Sequence, residues 1–243
     1  MSYVIHPRDF SSQELGGKAQ ALAALDRSGI PVPGWFVLSP DAFDRSLGER
    51  EQRILQEATD SAAMVSIVER LMPAPEVRLA LDRALSLLCP GGERVAVRSS
   101  AMEEDGSRHS FAGQFESFLF VRPEDAADKV AKVWRSAFSE RALVYRRARG
   151  LSLIPQPPAV LIQRMINADC SGVAFGADPV SGRRGVAVVA ALYGLGTALV
   201  SGECDADTYH VDREGRIVSR TIAVKRLGHR YDQIGRASCR ERV

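Results

Sequence analysis

The chain has 243 residues, 45% of them hydrophobic, which is enough for one large domain or for two small lobes with cores of their own. Its 32 basic residues nearly balance 30 acidic ones. The resulting net charge of +2 gives no electrostatic reason to expect nucleic acid or an anionic membrane as a partner. No apolar run reaches the roughly 18 residues of a membrane-spanning helix. Four scattered cysteines, together with the absence of a signal-peptide pattern, predict a reduced, cytoplasmic protein.

Helical patterns dominate the first ninety residues. The spacing of apolar residues, with start and stop signals beside them, predicts helices over 18–28, from 40 onward, over 52–71 and over 75–88. Gly29 is a suitable end for the first helix, and Ser39 followed by Pro40 is a typical start for the second. Between these two helices, the segment 30–38 (IPVPGWFVL) predicts a turn and then a strand.

Strand patterns become frequent after residue 94. A short buried strand over 95–98 leads into a polar loop, 99–110, and an alternating pattern predicts a second strand over 115–121. A long amphipathic helix is expected over 123–149. The remaining strands are predicted over 159–166, 172–175, 186–192, 208–211 and 217–224.

This order of elements predicts an α+β fold with two subdomains. Prolines at 155–158 mark a candidate hinge, so the lobes are expected over about 1–154 and 155–232. The last residues, IGRASCRERV, follow no helical or strand period and resemble the translation of a sequencing adapter. We therefore expect residues 233–243 to be an artefact and the gene to continue past Asp232; a native basic tail is the alternative.

Lys18 and the glycines before it form the first candidate site. Two glycines let the backbone approach a ligand closely, and a helix N-terminus offers N–H groups and the positive end of a dipole. Lys18 adds a cation suited to phosphate. The GxxxxGK[ST] loop is absent, and an ordinary helix start with a surface lysine is the alternative.

Arg98 lies at the end of the strand over 95–98, and two hydroxyl residues, Ser99 and Ser100, follow it. Arginine binds phosphate oxygens in a bidentate fork, so this strand end is a candidate anion site. The alternative is an ion pair between Arg98 and one of the acids at 103–105 (EED).

Two further segments can contact a nucleotide. In 110–117 (SFAGQFES), Gly113 lets backbone N–H groups cover phosphates; the alternative is a β-turn whose phenylalanines anchor it in the core. In 159–165 (AVLIQRM), the apolar run is interrupted by Gln163, whose amide can hydrogen-bond a nucleotide. The alternative there is an edge strand with Gln163 in solvent.

The glycines at 193–196 (YGLG) indicate a tight turn or a close approach to a ligand. They match the GxGxxG pattern poorly, and no βαβ unit surrounds them. A dinucleotide site is therefore not predicted here.

Eight segments in one order resemble a single family. They are LGGK (15–18), GIPVPGWFVLSPDAF (29–43), AVRSSAMEEDG (96–106), SFAGQFESFL (110–119), VWRSAFSERALVYRR (133–147), VLIQRMI (160–166), SGVAFGADPVSG (171–182) and the YGLG…VSG…D.Y.V series (193–211). Together they are similar to the ATP-binding domain of pyruvate, phosphate dikinase and phosphoenolpyruvate synthase, which rifampicin phosphotransferases share. The resemblance runs from about Glu14 to Val224.

The resemblance implies an ATP-grasp fold, in which two α+β lobes clamp ATP, and it implies a role for five residues. Lys18 and Arg98 match the family residues that stabilise phosphate charge. Gly113 and Ser117 match the loop that covers the phosphates, and Gln163 matches the glutamine near the adenine. Met102 departs from the family, which often has threonine there.

The resemblance also implies what the parent protein does. It would phosphorylate a histidine of a downstream domain with ATP and pass the phosphate to pyruvate, as in phosphoenolpyruvate synthase. The alternatives are a rifampicin phosphotransferase-like enzyme and a nucleotide-binding module without independent catalysis. ATP and Mg²⁺ are the expected cofactors, with metal ligands beyond the end of this chain, and the fragment alone is expected to be inactive.

Overall fold

The computed structural model contains both helices and antiparallel strands. It describes residues 2–9, 15–58, 60–101, 115–225, 228–231 and 237–239. The helices are α1 (Gly17–Arg27), α2 (Pro40–Ser46), α3 (Glu49–Glu57), α4 (Ser61–Val68), α5 (Pro75–Leu88), α6 (Ala126–Ala137), α7 (Glu140–Ala148) and α8 (Thr197–Ser201). The strands are β1 (Val4–Ile5), β2 (Trp35–Leu38), β3 (Val95–Ser100), β4 (Ser117–Val121), β5 (Ala159–Arg164), β6 (Cys170–Phe175), β7 (Ala187–Tyr193), β8 (Asp207–Val211), β9 (Ile217–Thr221), β10 (His229–Tyr231) and β11 (Ala237–Cys239). The predicted α+β class is confirmed.

Both long helices predicted from apolar spacing are divided in the structure, so those two predictions were wrong. The 52–71 pattern splits into α3 and α4, and the carboxylate of Asp60 accepts the backbone N–H of Ala62 at 3.2 Å as the cap of α4. The 123–149 pattern splits into α6 and α7, where the hydroxyl of Ser139 accepts the N–H of Ala142 at 3.3 Å. Capping residues inside an apolar period allow a helix to restart at a new angle.

Five strands form the first sheet, in the order β1-β2-β5-β3-β4, and each neighbouring pair is antiparallel. The central place belongs to β5, which pairs with β2 on one side and with β3 on the other. The alternative of an edge strand for Gln163 is therefore wrong.

The two faces of this sheet contact different helices. Val97 and Ile162 lie on one face, in a core that also contains buried side chains of α2 to α7. Val37 and Leu161 lie on the opposite face, in a smaller cluster with Ala19 of α1. This second side of the sheet, which carries Val37 and Leu161, is called the α1 face below. Apolar side chains on both faces explain why β2 and β5 lack the alternation of a half-exposed strand.

The chain divides into two units after Met165. The lobe boundary was expected near residue 155, yet β5 follows the prolines at 155–158 and is the middle strand of the first unit. The difference arises because a proline-rich segment marks a chain reversal as readily as a boundary between domains.

The second unit, Ile166–Val243, contains a four-stranded antiparallel sheet in the order β6-β7-β8-β9. Consecutive strands are neighbours, as in a meander, and the short α8 follows β7. The strands β10 and β11 form a separate antiparallel pair, with His229 opposite Cys239. The strand β11 lies within the tail at 233–243, whose origin as an artefact stays a prediction.

Candidate functional site

Three of the five candidate residues lie on the α1 face, and a fourth, Lys18, lies in the helix that packs on it. Arg98 pairs with Leu161, and Gln163 follows two residues later in β5, so both side chains are on the same side of the sheet as Leu161. Ser117 is the cross-strand partner of Arg98. Lys18 lies in the first turn of α1, the helix that packs on this face. The fold thus brings segments that are far apart in sequence to one side of one sheet.

A close contact joins the start of α1 to the end of β3. Gly16, the residue before the helix, has a φ of 78°, a backbone conformation that favours glycine. A Cβ atom on Gly16 would lie 2.1 Å from the carbonyl oxygen of Ser100. Both the conformation and the available space therefore require glycine here.

The hydroxyl of Ser100 bonds to both sides of the same turn. It accepts the backbone N–H of Ala19 at 3.0 Å and donates to the carbonyl oxygen of Leu15 at 2.7 Å. The side chain is buried, and Ser99 is also buried, on the opposite face of β3. The expectation that both hydroxyls form an anion site is therefore corrected: Ser100 is bonded to the backbone, and Ser99 points towards the main core.

The first turn of α1 contains no acidic residue, and its N-cap is a glycine without a side-chain cap. The positive end of the helix dipole therefore has no carboxylate in its own first turn to compensate it. Lys18, partly buried in this turn, adds a full positive charge beside it. This end of α1 has the electrostatic character that an anion requires.

Arg98 and Ser117 form the second part of the site. Arg98 is partly buried in β3, and Ser117 is exposed at the first position of β4. The guanidinium belongs to a strand that is bonded on both sides, so its backbone is held firmly. A rigid strand that presents a planar, bidentate donor is suited to bind phosphate oxygens.

Gln163 lies opposite Trp35 in β2 and Ala96 in β3. Its amide donates to the carbonyl oxygen of Pro33 at 3.5 Å, which is a long hydrogen bond. The side chain is partly buried. An amide with so weak an internal bond can exchange it for a ligand.

Several predicted residues lie outside the described part of the chain. These are Gly113, Met102 and the acids at 103–105. The alternative of an ion pair between Arg98 and one of these acids therefore also lies outside the described residues. Phe115 is described, and it packs against the main core, as expected for an anchor of the loop before it.

Sequence analysis missed a network around His229 in the second unit. Its Nδ1 lies 2.9 Å from the hydroxyl of Thr197, and its Nε2 lies 3.2 Å from the carboxylate of Glu203. Its carbonyl oxygen would be 2.2 Å from a Cβ atom on Gly194, whose φ is 75°. Gly194 therefore makes a close contact with protein backbone, whereas the pattern at 193–196 predicted a tight turn or a close approach to a ligand. Only the fold shows that the contact is with residue 229, 35 positions later.

An ion pair links strand β8 to the segment after β9. The ammonium of Lys225 binds the carboxylate of Asp207, which also accepts the backbone N–H of Ala223 at 2.9 Å. The bond from Lys225, followed by that from Ala223, holds the pKa of Asp207 below its ordinary value. These contacts stabilise the sheet of the second unit.

The described residues contain neither a group of metal-binding side chains nor a membrane-spanning helix. Three or more histidine, cysteine or acidic side chains do not gather there in a group that could hold a metal ion. The helices described are also too short or too polar to cross a membrane. Cys89, Cys170 and Cys204 are not part of a disulfide.

Comparison with known proteins shows the family of the chain. Residues 12–243 match the family model "pyruvate phosphate dikinase, AMP/ATP-binding domain". The chain is 37% identical to a rifampicin phosphotransferase of Streptomyces sviceus and 40% identical to one of another Streptomyces, over 92% and 88% of its length. It is 33% identical, over 90% of its length, to a probable phosphoenolpyruvate synthase of Methanocaldococcus jannaschii. It spans 28%, 26% and 20% of these relatives, respectively. The chain belongs to the pyruvate phosphate dikinase AMP/ATP-binding domain family.

Proposed function

We propose that this chain is the ATP-binding part of a phosphoenolpyruvate synthase-like dikinase, which transfers phosphate from ATP to a histidine of a downstream domain and then to pyruvate. The observation that carries the proposal is the placement of Arg98 on the α1 face, and of Lys18 in the helix that packs on this face, in a member of an AMP/ATP-binding family. The overall reaction converts pyruvate, ATP and water into phosphoenolpyruvate, AMP and phosphate.

The proposed roles follow from the chemistry of each side chain. Phosphoryl transfer depends on positioning and charge neutralisation more than on covalent chemistry from the domain that holds ATP. Lys18 and Arg98 stabilise the phosphate charge, Gly113 and Ser117 belong to the loop that covers the phosphates, and Gln163 bonds the adenine. When bound, Mg²⁺ would supply further positive charge to the phosphates. No group of three or more histidine, cysteine or acidic side chains that could hold it lies among the described residues, and its ligands are proposed to lie beyond this chain.

The proposed architecture is that of the ATP-grasp fold. Its support is the division of the chain into two units, each with an antiparallel sheet of its own. Residues 1–165 and 166–232 are the proposed counterparts of the two lobes, and residues 233–243 are proposed to lie outside the native fold.

A second acceptor is supported by the comparisons. The two Streptomyces relatives with 37% and 40% identity are named rifampicin phosphotransferases, so an antibiotic is as well supported as pyruvate. The ATP-binding step is the same for both acceptors. The third alternative is a nucleotide-binding module without independent catalysis.

The first experiment uses the chain itself. Isothermal titration with ATP, and a parallel assay for ADP and AMP, should show binding without turnover. Turnover by the chain alone would contradict the proposal that phosphate is passed to a downstream histidine, and a folded chain that does not bind ATP would contradict the function as a whole.

The second experiment uses a longer protein, in which this chain is followed by the proposed downstream domains. Incubation with ATP should form phosphohistidine, and addition of either pyruvate or rifampicin then identifies the acceptor from the phosphorylated product. Arg98→Ala should abolish phosphohistidine formation while the protein remains folded. Phosphohistidine at the unaltered level in this variant would refute the role of Arg98.

A further inference from the structure

Ser100 occupies a junction that neither the family match nor the proposed roles explain. It is the last residue of β3, its side chain is 1% exposed, and its two hydrogen-bond partners lie 81 and 85 positions earlier in the chain. A buried serine that both donates and accepts has no bond left to offer a ligand through its proton. Ser100 can therefore influence a bound ligand only through the backbone groups to which its hydroxyl bonds.

Those groups are the two sides of the glycine turn before α1. Ala19, whose N–H bonds to Ser100, is the residue after Lys18. Leu15, whose carbonyl oxygen accepts the hydroxyl proton, precedes Gly16 and is itself buried. One hydroxyl thus spans the turn from which Lys18 projects.

The strand side of the junction leads directly to Arg98. Residues two apart in a strand point to the same side, so Ser100 and Arg98 share the α1 face. Gly16 packs over the carbonyl of Ser100 at a distance that only glycine permits. The turn carrying Lys18 and the strand carrying Arg98 are therefore held together at one buried point.

We infer that Ser100 is a positioning residue that sets Lys18 relative to Arg98, so that both cations meet the phosphates of one nucleotide. The inference rests on the proposed function, because it assigns both cations to ATP. It predicts that loss of the Ser100 hydroxyl impairs recognition of the phosphates and leaves recognition of the adenine intact.

The test compares ATP with adenosine, which lacks phosphates, as titrants of the full chain. Ser100→Ala should weaken ATP binding by about tenfold, because two buried hydrogen bonds to the turn are lost, and should change adenosine binding by less than about twofold. The first turn of α1 should also exchange its amide hydrogens faster. The matched control is Ser99→Ala, since Ser99 is also buried but lies on the other face of β3.

A variant that only lost stability would show the same fractional decrease in affinity for ATP and for adenosine. If only its folded molecules were counted, it would show no decrease for either ligand. If Ser100→Ala does not fold, Ser100→Cys provides the same comparison, because a thiol fills the site but bonds weakly. Ser100→Thr, which keeps the hydroxyl, should restore the preference for ATP. An unchanged ratio of the two affinities in Ser100→Ala or Ser100→Cys would overturn this inference alone. Failure of the unaltered chain to bind ATP would overturn the proposed function instead.

Discussion

Arg98 and Ser117 lie opposite each other because of an irregularity in the pairing of β3 with β4. Val95 pairs with Val121, but Val97 pairs with Phe118, so β4 has one extra residue between the two pairs. Without this bulge Phe118 would be the partner of Arg98. A shift of one residue exchanges the two faces of a strand. The bulge therefore directs Phe118 towards the main core and leaves Ser117 beside the arginine.

The pairing gives a direct prediction for Arg98. Arg98→Ala should weaken ATP binding by about 10- to 100-fold, the cost of one or more charge-assisted hydrogen bonds, without a large change in melting temperature. Arg98→Lys should recover part of the affinity, because it keeps the charge but loses the bidentate fork. The matched control is Arg164→Ala, a partly buried arginine on β5 that forms an ion pair with Glu93. Isothermal titration measures all three, and equal losses for Arg98→Ala and Arg164→Ala would contradict the assignment.

A second prediction concerns Gln163. Gln163→Leu should weaken the binding of ATP and of adenosine by a similar factor, about five- to tenfold. The reason is that the amide is proposed to contact the base that both ligands share. Arg98→Ala should instead weaken the binding of ATP much more than the binding of adenosine. If Gln163→Leu reduced ATP binding alone, the glutamine would have to be reassigned to the phosphates.

Gly16→Ala tests the close contact with Ser100 through stability. The new methyl group would meet the carbonyl of Ser100 and would occupy a strained backbone, so we expect a loss of about 3 kcal/mol or more in the free energy of unfolding. Gly29→Ala is the matched control, since its φ of 73° is similar but nothing lies within 4 Å of the added atom. It should cost only about 1 kcal/mol. Chemical denaturation measures both, and equal losses would show that the contact contributes nothing.

The ion pair of Asp207 with Lys225 predicts a pH dependence. The pKa of Asp207 is lowered in the folded state, so its stabilising effect is complete above the ordinary aspartate pKa of about 4 and is lost as the pH falls through the folded value. Asp207→Asn should therefore lower the melting temperature at pH 7, and the difference from the unaltered chain should shrink towards pH 3.

Asp205→Asn, at an exposed site in the same unit, is the control for this pH series. It should leave the melting temperature nearly unchanged throughout. A deficit of Asp207→Asn that stayed constant down to pH 3 would mean that the carboxylate does not act through its charge.

Local signals determined much of the secondary structure. The helix at Pro75–Leu88 appears with the predicted bounds, since its apolar spacing and proline start agree. The 123–149 pattern failed at Ser139, because an amphipathic period continues through a cap and does not reveal the change of direction. The β5 strand was recognised, but its place between β2 and β3 depends on pairing with distant segments, which a single pattern does not contain.

The sequence by itself determined which residue types could bind a phosphorylated nucleotide: Lys18 after two glycines, Arg98 at a strand end, and Gln163 in an apolar run. Only the tertiary structure decided that Arg98 and Gln163 share one face of one sheet and that the helix with Lys18 packs on this face. It also decided that Ser100, expected to bind a ligand, instead holds the turn before α1. The physical reason is that strand register and buried hydrogen bonds join residues more than eighty positions apart. Such contacts depend on the packing of the whole sheet and leave no local pattern in the chain.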